Sequence, residues 1–146
     1  MRRRLAIVVA AVAFLAVSAL LARWLTTEGR ERDAVTGLLR AQARGDARAM
    51  LARLDGCAAD ARCAALARRN ARRLRRPGRL EILRYDSATS YAIGAASGPT
   101  RVVWRVVGRG LPVVQCVEVR RGGSVLAGRS VTLRRLGAPI GRESSC

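Results

Sequence analysis

The first run of the chain is apolar without a break. From Leu5 to Ala22, 18 residues carry no charge, and Ser18 is the one polar side chain among them. A helix through that run spans about 27 Å at about 1.5 Å per residue. That is near the lower length limit for crossing a bilayer core. Arg2, Arg3 and Arg4 precede the run; Arg23, Trp24 and Leu25 extend it. An arginine there can snorkel to the headgroups, and an indole suits the interface belt. The pattern predicts a transmembrane anchor over residues 1–25. A cleaved signal peptide competes with it, using a small-x-small site at Ala16-Val17-Ser18, although the run is longer than an ordinary apolar core of about 7 to 15 residues. The arginine bias around the run favours a single-pass protein at the cell membrane, with its N-terminus cytoplasmic and the rest extracytoplasmic.

Residues 26–32 are polar and read as a short linker or a continuation of the helix. From Asp33 the apolar period becomes helical: Ala34, Val35, Leu38 and Leu39 line one face. Gly45-Asp46 interrupts, and Asp46 is a good N-cap for a second short helix carrying Met50, Leu51 and Leu54. A third helix is predicted from about Asp60 to Leu74, with Ala64, Ala67, Ala71 and Leu74 inward and Pro77-Gly78 ending it. After Arg79 the period is that of strands, rich in β-branched residues. Five are predicted: Leu80 to Tyr85, Thr89 to Ala95, Arg101 to Val107, Val113 to Arg120 and Val125 to Arg134. Turns are expected at Ser97-Gly98-Pro99, from Gly108 to Pro112, and at Arg121-Gly122-Gly123-Ser124. Connections this short force antiparallel neighbours. The prediction is an α+β domain over 33–146, two or three helices packed on a roughly five-stranded antiparallel sheet, cone-like, behind the anchor.

Charge changes the picture of the surface. The chain has 28 basic and 10 acidic residues, net +18, and every basic residue is arginine. Such a surface attracts anionic lipid, cell-wall polymer or an acidic protein. The third helix concentrates it: Arg62, Arg69, Arg72, Arg73 and Arg76 approach one face, with no acid between Asp60 and Glu81. This is the candidate anion-binding site, weighed against a merely solvated face. Nucleic acid is disfavoured, because aromatic residues for base stacking are almost absent near this helix.

Four cysteines follow the export-type segment: Cys57, Cys63, Cys116 and Cys146. An even number there predicts two disulfides in an oxidising compartment. Three pairings are open. Cys57 with Cys63 closes a short loop. A continuous helix through both would hold them about 9 Å apart along its axis, so a helix start is expected between them. Cys116 would then pair with Cys146, pinning the tail to the sheet. A C-x5-C spacing without histidine is a poor zinc signature, and neither a metal site nor a cofactor motif is read.

An enzyme needs a general base, a nucleophile or a metal. Histidine and lysine are absent, and the acids are scattered. Tyr85, Asp86 and Tyr91 could line a concavity of the sheet; as half-buried sheet residues they need no such role. Glu81 and Glu118 are expected to pair with neighbouring arginines.

The stretch Val35-Thr36-Gly37-Leu38-Leu39-Arg40-Ala41-Gln42-Ala43-Arg44-Gly45-Asp46, followed by Met50-Leu51, resembles the cystatin-like and nuclear transport factor 2-like superfamily in its small exported bacterial forms. There an apolar helix commonly closes on Gly-Asp before a second helix, and a long C-terminal hairpin follows. The resemblance covers roughly Arg32 to Leu136. It implies either a non-catalytic accessory domain, as in secretion, transport or cell-wall systems, or a small isomerase or dehydratase with a pocket between helices and sheet; an accessory domain of DNA-transfer machinery is a third, separate alternative. No catalytic residue carries over, and the reading favours a membrane-tethered, non-catalytic binding domain.

Overall fold

The computed structural model describes residues 2–87, 96–124 and 128–146. Three helices precede a four-stranded antiparallel sheet in the order α1 (Arg2–Arg44), α2 (Ala47–Leu51), α3 (Ala61–Arg73), β1 (Leu80–Ser87), β2 (Ala96–Val106), β3 (Arg109–Ser124) and β4 (Gly128–Leu136). The strands pair in chain order, β1-β2-β3-β4, as their short connections require.

The N-terminal half corrects the expected anchor and linker. Among the described residues no helix is long and apolar enough to cross a membrane, so the transmembrane helix over 1–25 is not found. Residues 2–25 instead begin a helix of 43 residues. Ile7, Val9, Val12, Phe14, Leu15, Val17 and Leu21 are exposed on it. The linker over 26–32 does not form either. No proline interrupts the stretch from Leu25 to Asp33, whose residues are compatible with a helix, and α1 runs through it. Glu31 is already 3 % exposed, so the packed body begins inside the segment expected to be free.

α1 ends in a glycine cap. Gly45 takes a positive φ of 78°; its amide donates to the Gln42 carbonyl (2.8 Å), and that of Asp46 donates to Ala41 (2.9 Å). A side chain there would be strained and would meet Arg75. Asp46 then caps α2, accepting from the Ala49 amide (2.8 Å), and Asp60 caps α3, accepting from Arg62 (2.8 Å) and Cys63 (3.1 Å).

The sheet differs from the expected five strands. The predicted Thr89–Ala95 strand lies outside the described residues, and four strands are found. Two expected turns are strand as well. Ser97-Gly98-Pro99 belongs to β2, paired with β3. Pro99 stands one residue before Thr100, the last residue of β2 whose β1 partner, Ser87, is among the described residues, and it faces Glu118 of β3. Arg121 to Ser124 belongs to β3, and Ser124 pairs with Gly128. Both glycine-bearing segments accept extended backbone when a neighbouring strand supplies the ladder. The Gly108–Pro112 turn narrows to a tight reversal, with Val106 paired to Arg109.

One face of the sheet carries Val102, Trp104, Val106, Val117, Val119 and Leu133 against Val35, Leu38, Leu39, Met50 and Ala67, all buried. At about 25 cal/mol per Å² of apolar area removed from water, this burial is the main driving force for the fold. Polar groups inside it are satisfied. Gln115 accepts from Trp104 Nε1 (2.9 Å) and from the Gln42 amide (2.8 Å), and donates to the Gly137 carbonyl (2.9 Å). Asn70 donates to the same carbonyl from α3 (3.0 Å).

Candidate functional site

α3 is amphipathic because alanines alternate with arginines at helical spacing. Cys63, Ala64, Ala67, Asn70 and Ala71 are buried, which turns Arg62, Arg68, Arg69, Arg72 and Arg73 outward, all exposed. At about 100° per residue, Arg62, Arg69 and Arg73 fall within an arc of about 40°, with Arg72 and Arg68 beside them. The stripe is about 16 Å long from Arg62 to Arg73. Arg72 and Arg73 occupy the last turn, where cations complement the helix dipole.

Arg76 leaves the expected set. It lies beyond the end of α3, its amide bonded to the Ala43 carbonyl (2.8 Å). Its guanidinium donates to the Leu111 carbonyl (2.9 Å). The helix stops at Arg73 because Pro77 and Gly78 follow too closely for another turn, so the helical spacing that placed Arg76 on the stripe no longer applies. Arg68, by contrast, joins the exposed face.

Partners separate this stripe from most of the sheet arginines, Arg109 and Arg120 being the exceptions among the described residues. Arg84 pairs with Asp86 (2.7 Å), Arg105 with Glu81 (2.8 Å), Arg134 with Asp55 (2.6 Å), Arg135 with Asp60 (3.9 Å) and Arg101 with Asp86 (3.4 Å). The sixth pair, Arg121 with Glu31, is buried. Glu81 thus pairs as expected. Glu118 faces Arg135 in register, but Arg135 makes its ion pair with Asp60. Among the described residues, the five arginines on the exposed face of α3 have no side-chain hydrogen bond or ion pair.

The acid/base candidates occupy a different place. Tyr85 donates to Glu31 (2.7 Å), Thr100 donates to the same oxygen (2.9 Å), and Arg121 Nε donates to the other (2.6 Å). Burial, and then the bond to Glu31, push the Tyr85 hydroxyl far above the ordinary tyrosine range. Asp86 is half-buried, and the Arg84 guanidinium holds it below the usual carboxylate value. Tyr91 lies outside the described residues. Among the described residues two clefts are found, one where α1 meets β4 and one on the sheet. One, of 290 Å³, is lined by Asp33, Ala34, Gly37, Arg53 and Val131–Leu133. The other, of 350 Å³, lies beside Pro99, Cys116, Glu118 and Arg135. Neither includes Tyr85. Among the described residues no group of three or more His, Cys, Asp or Glu side chains could hold a metal.

Both disulfides are present, Cys57–Cys63 and Cys116–Cys146. The helix start expected between the first pair is Asp60–Ala61. The second ties the C-terminal segment across the open face of the sheet. Ile140 bonds to the Val114 carbonyl (2.9 Å), and Arg101, the register partner of Cys116, donates to the carbonyls of Ser144 (3.0 Å) and Arg142. Sequence reasoning missed the roles of Glu31, Arg121, Gln42 and Gln115. Their partners lie 73 to 90 residues away for the Gln42–Gln115 and Glu31–Arg121 bonds, and nothing in their local pattern marks them.

No family model, curated protein or solved structure matches the chain.

Proposed function

We propose that this chain is a non-catalytic binding module of an oxidising, extracytoplasmic compartment, which holds polyanions on the arginine stripe of α3. The observation that carries the reading is the contrast in partners: six arginines of the sheet form ion pairs, Arg109 and Arg120 excepted, and among the described residues the five on the outer face of α3 form none. Guanidinium groups fixed on a rigid helix and free of internal partners are available for charge-assisted hydrogen bonds to phosphate or carboxylate. The two disulfides fit an oxidising compartment. The interior supports a binding rather than a catalytic reading, since Trp104, Leu38, Leu39, Met50 and the Gln42–Gln115 pair fill it. Helices followed by an antiparallel meander are also the layout on which the cystatin-like and nuclear transport factor 2-like resemblance rests, and that kinship is part of the proposal.

The test compares two variants of equal charge on a soluble polyphosphate probe. One carries Arg62→Gln, Arg69→Gln, Arg72→Gln and Arg73→Gln. The other removes four exposed arginines elsewhere, Arg40, Arg48, Arg120 and Arg142, in the same way. The α3 variant is expected to lose most of the affinity and the control little. Equal losses from both would mean that net charge alone acts, and would overturn the site.

A further inference from the structure

The end of the molecule where α3 stops has a second property that solvation does not explain. Residues 107–111 are all exposed, and they include Leu111, 71 % exposed, and Val107, 49 % exposed. They form the tip of the β2–β3 hairpin, with Gly108 and Gly110 at positive φ. A tight turn of this kind needs glycine or a polar residue; it does not need a leucine in water.

The tip is also held firmly against the basic end of the helices. Arg76 donates to the Leu111 carbonyl (2.9 Å), and the Val107 amide donates to the Arg79 carbonyl (3.0 Å). Arg75 packs against Gly45 at the end of α1. Arg75, Arg79 and Arg109 are exposed, and among the described residues none has an acidic partner. The acid at the β1 start, Glu81, is taken by Arg105 (2.8 Å).

We propose that this corner docks on an anionic lipid surface, with Leu111 and Val107 entering the interfacial layer while Arg75, Arg79 and Arg109 meet the headgroups. The inference rests on the polyanion reading above and names its target. Charge complementarity selects an anionic surface. Shape favours a lipid one: the apolar residues sit on a protruding hairpin tip, and neither of the two clefts includes them. A fluid interface yields around a protruding side chain, whereas a folded acidic partner would need a cavity made to fit it. Interfacial binding of this kind draws on apolar contact and cationic attraction together.

The N-terminal part of α1 also exposes apolar side chains, so co-sedimentation with vesicles does not report on the tip. A local probe does. In the full chain, Trp24→Phe removes one indole and Leu111→Trp places one at the tip; the remaining Trp104 is fully buried. On vesicles of equal phosphatidylglycerol and phosphatidylcholine, the emission of that indole is expected to move to the blue, and brominated lipid should quench it. Both effects should vanish on phosphatidylcholine alone and after Arg75→Gln, Arg79→Gln and Arg109→Gln together. An indole that stays in water on the mixed vesicles overturns the proposal, and so does an equal shift on neutral vesicles or with soluble polyphosphate. If the tip stays wet while polyphosphate still binds through α3, this inference alone falls. If polyphosphate binding fails too, the reading beneath it falls with it.

Discussion

Tyr85 is held in its protonated form by burial and by its bond to Glu31. An unfolded tyrosine ionises near pH 10. The folded chain therefore binds this proton where the unfolded chain releases it, and stability must fall as pH rises above about 10. Alkaline titration followed by tyrosinate absorbance should show Tyr85 ionising only as the chain unfolds, and Tyr85→Phe should remove that part of the alkaline dependence. Reversible ionisation near pH 10 with the fold intact would contradict the geometry. Asp60 acts in the opposite sense. Its carboxylate accepts from the amides of Cys63 and Arg62, which lowers its pKa. Its contribution is complete at neutral pH and is lost as pH falls from about 4 through the lowered folded value. Asp60→Asn keeps the cap and should flatten this acid dependence in thermal melts, whereas Asp60→Ala should lower the melting temperature at neutral pH. Glu31→Gln leaves the partly buried Arg121 without its counter-charge and is expected to cost about 3 kcal/mol in urea unfolding. Asp60 was legible as the start of the third helix, though not as the residue that caps it. Glu31 was not, because its three partners come from three strands and share no local pattern with it.

At the level of elements, the disulfides separate by the length of chain that each closes. Cys57 and Cys63 are 6 residues apart, Cys116 and Cys146 are 30 apart. In the chain-entropy account, losing the first costs about 2 kcal/mol and losing the second about 4 kcal/mol. Paired substitutions, Cys57→Ala with Cys63→Ala and Cys116→Ala with Cys146→Ala, should rank in that order by denaturant midpoint. The reverse order would mean that the tail is held by Arg101 and Ile140 rather than by its sulfur. The short loop between Cys57 and Cys63 and the capped start of α2 could be read from spacing, since caps and loop closure are local; the start of α3 was read within a residue, but Asp60 caps it instead of lying in its first turn. Strand limits could not. Gly98, Pro99, Gly122 and Gly123 carry turn signals, yet they extend β2 and β3, because a paired neighbour overrides the preference of a short segment. Arg76 shows the same limit at a helix end: one residue past the stop, the helical period no longer says where a side chain goes.

For the whole molecule, the net charge of +18 was visible at once, but its distribution was not. Pairing is a property of the folded surface, and it is pairing that sets α3 apart from most of the sheet arginines. Association with a soluble polyanion should weaken steeply with added salt, as released counterions require. The salt dependence should be shallower for the variant that lacks Arg62, Arg69, Arg72 and Arg73. The continuous α1 was likewise hidden, because a change of composition near residue 26 looks like a boundary although helical backbone crosses it without effort.

That continuity has a mechanical meaning. Residues 2–30 extend for about 43 Å as helix before Glu31 enters the sheet contacts. A pull or tilt applied at the far end meets no soft joint to absorb it. It acts as a torque on the Glu31 clasp, and β1, β2 and β3 feel it together.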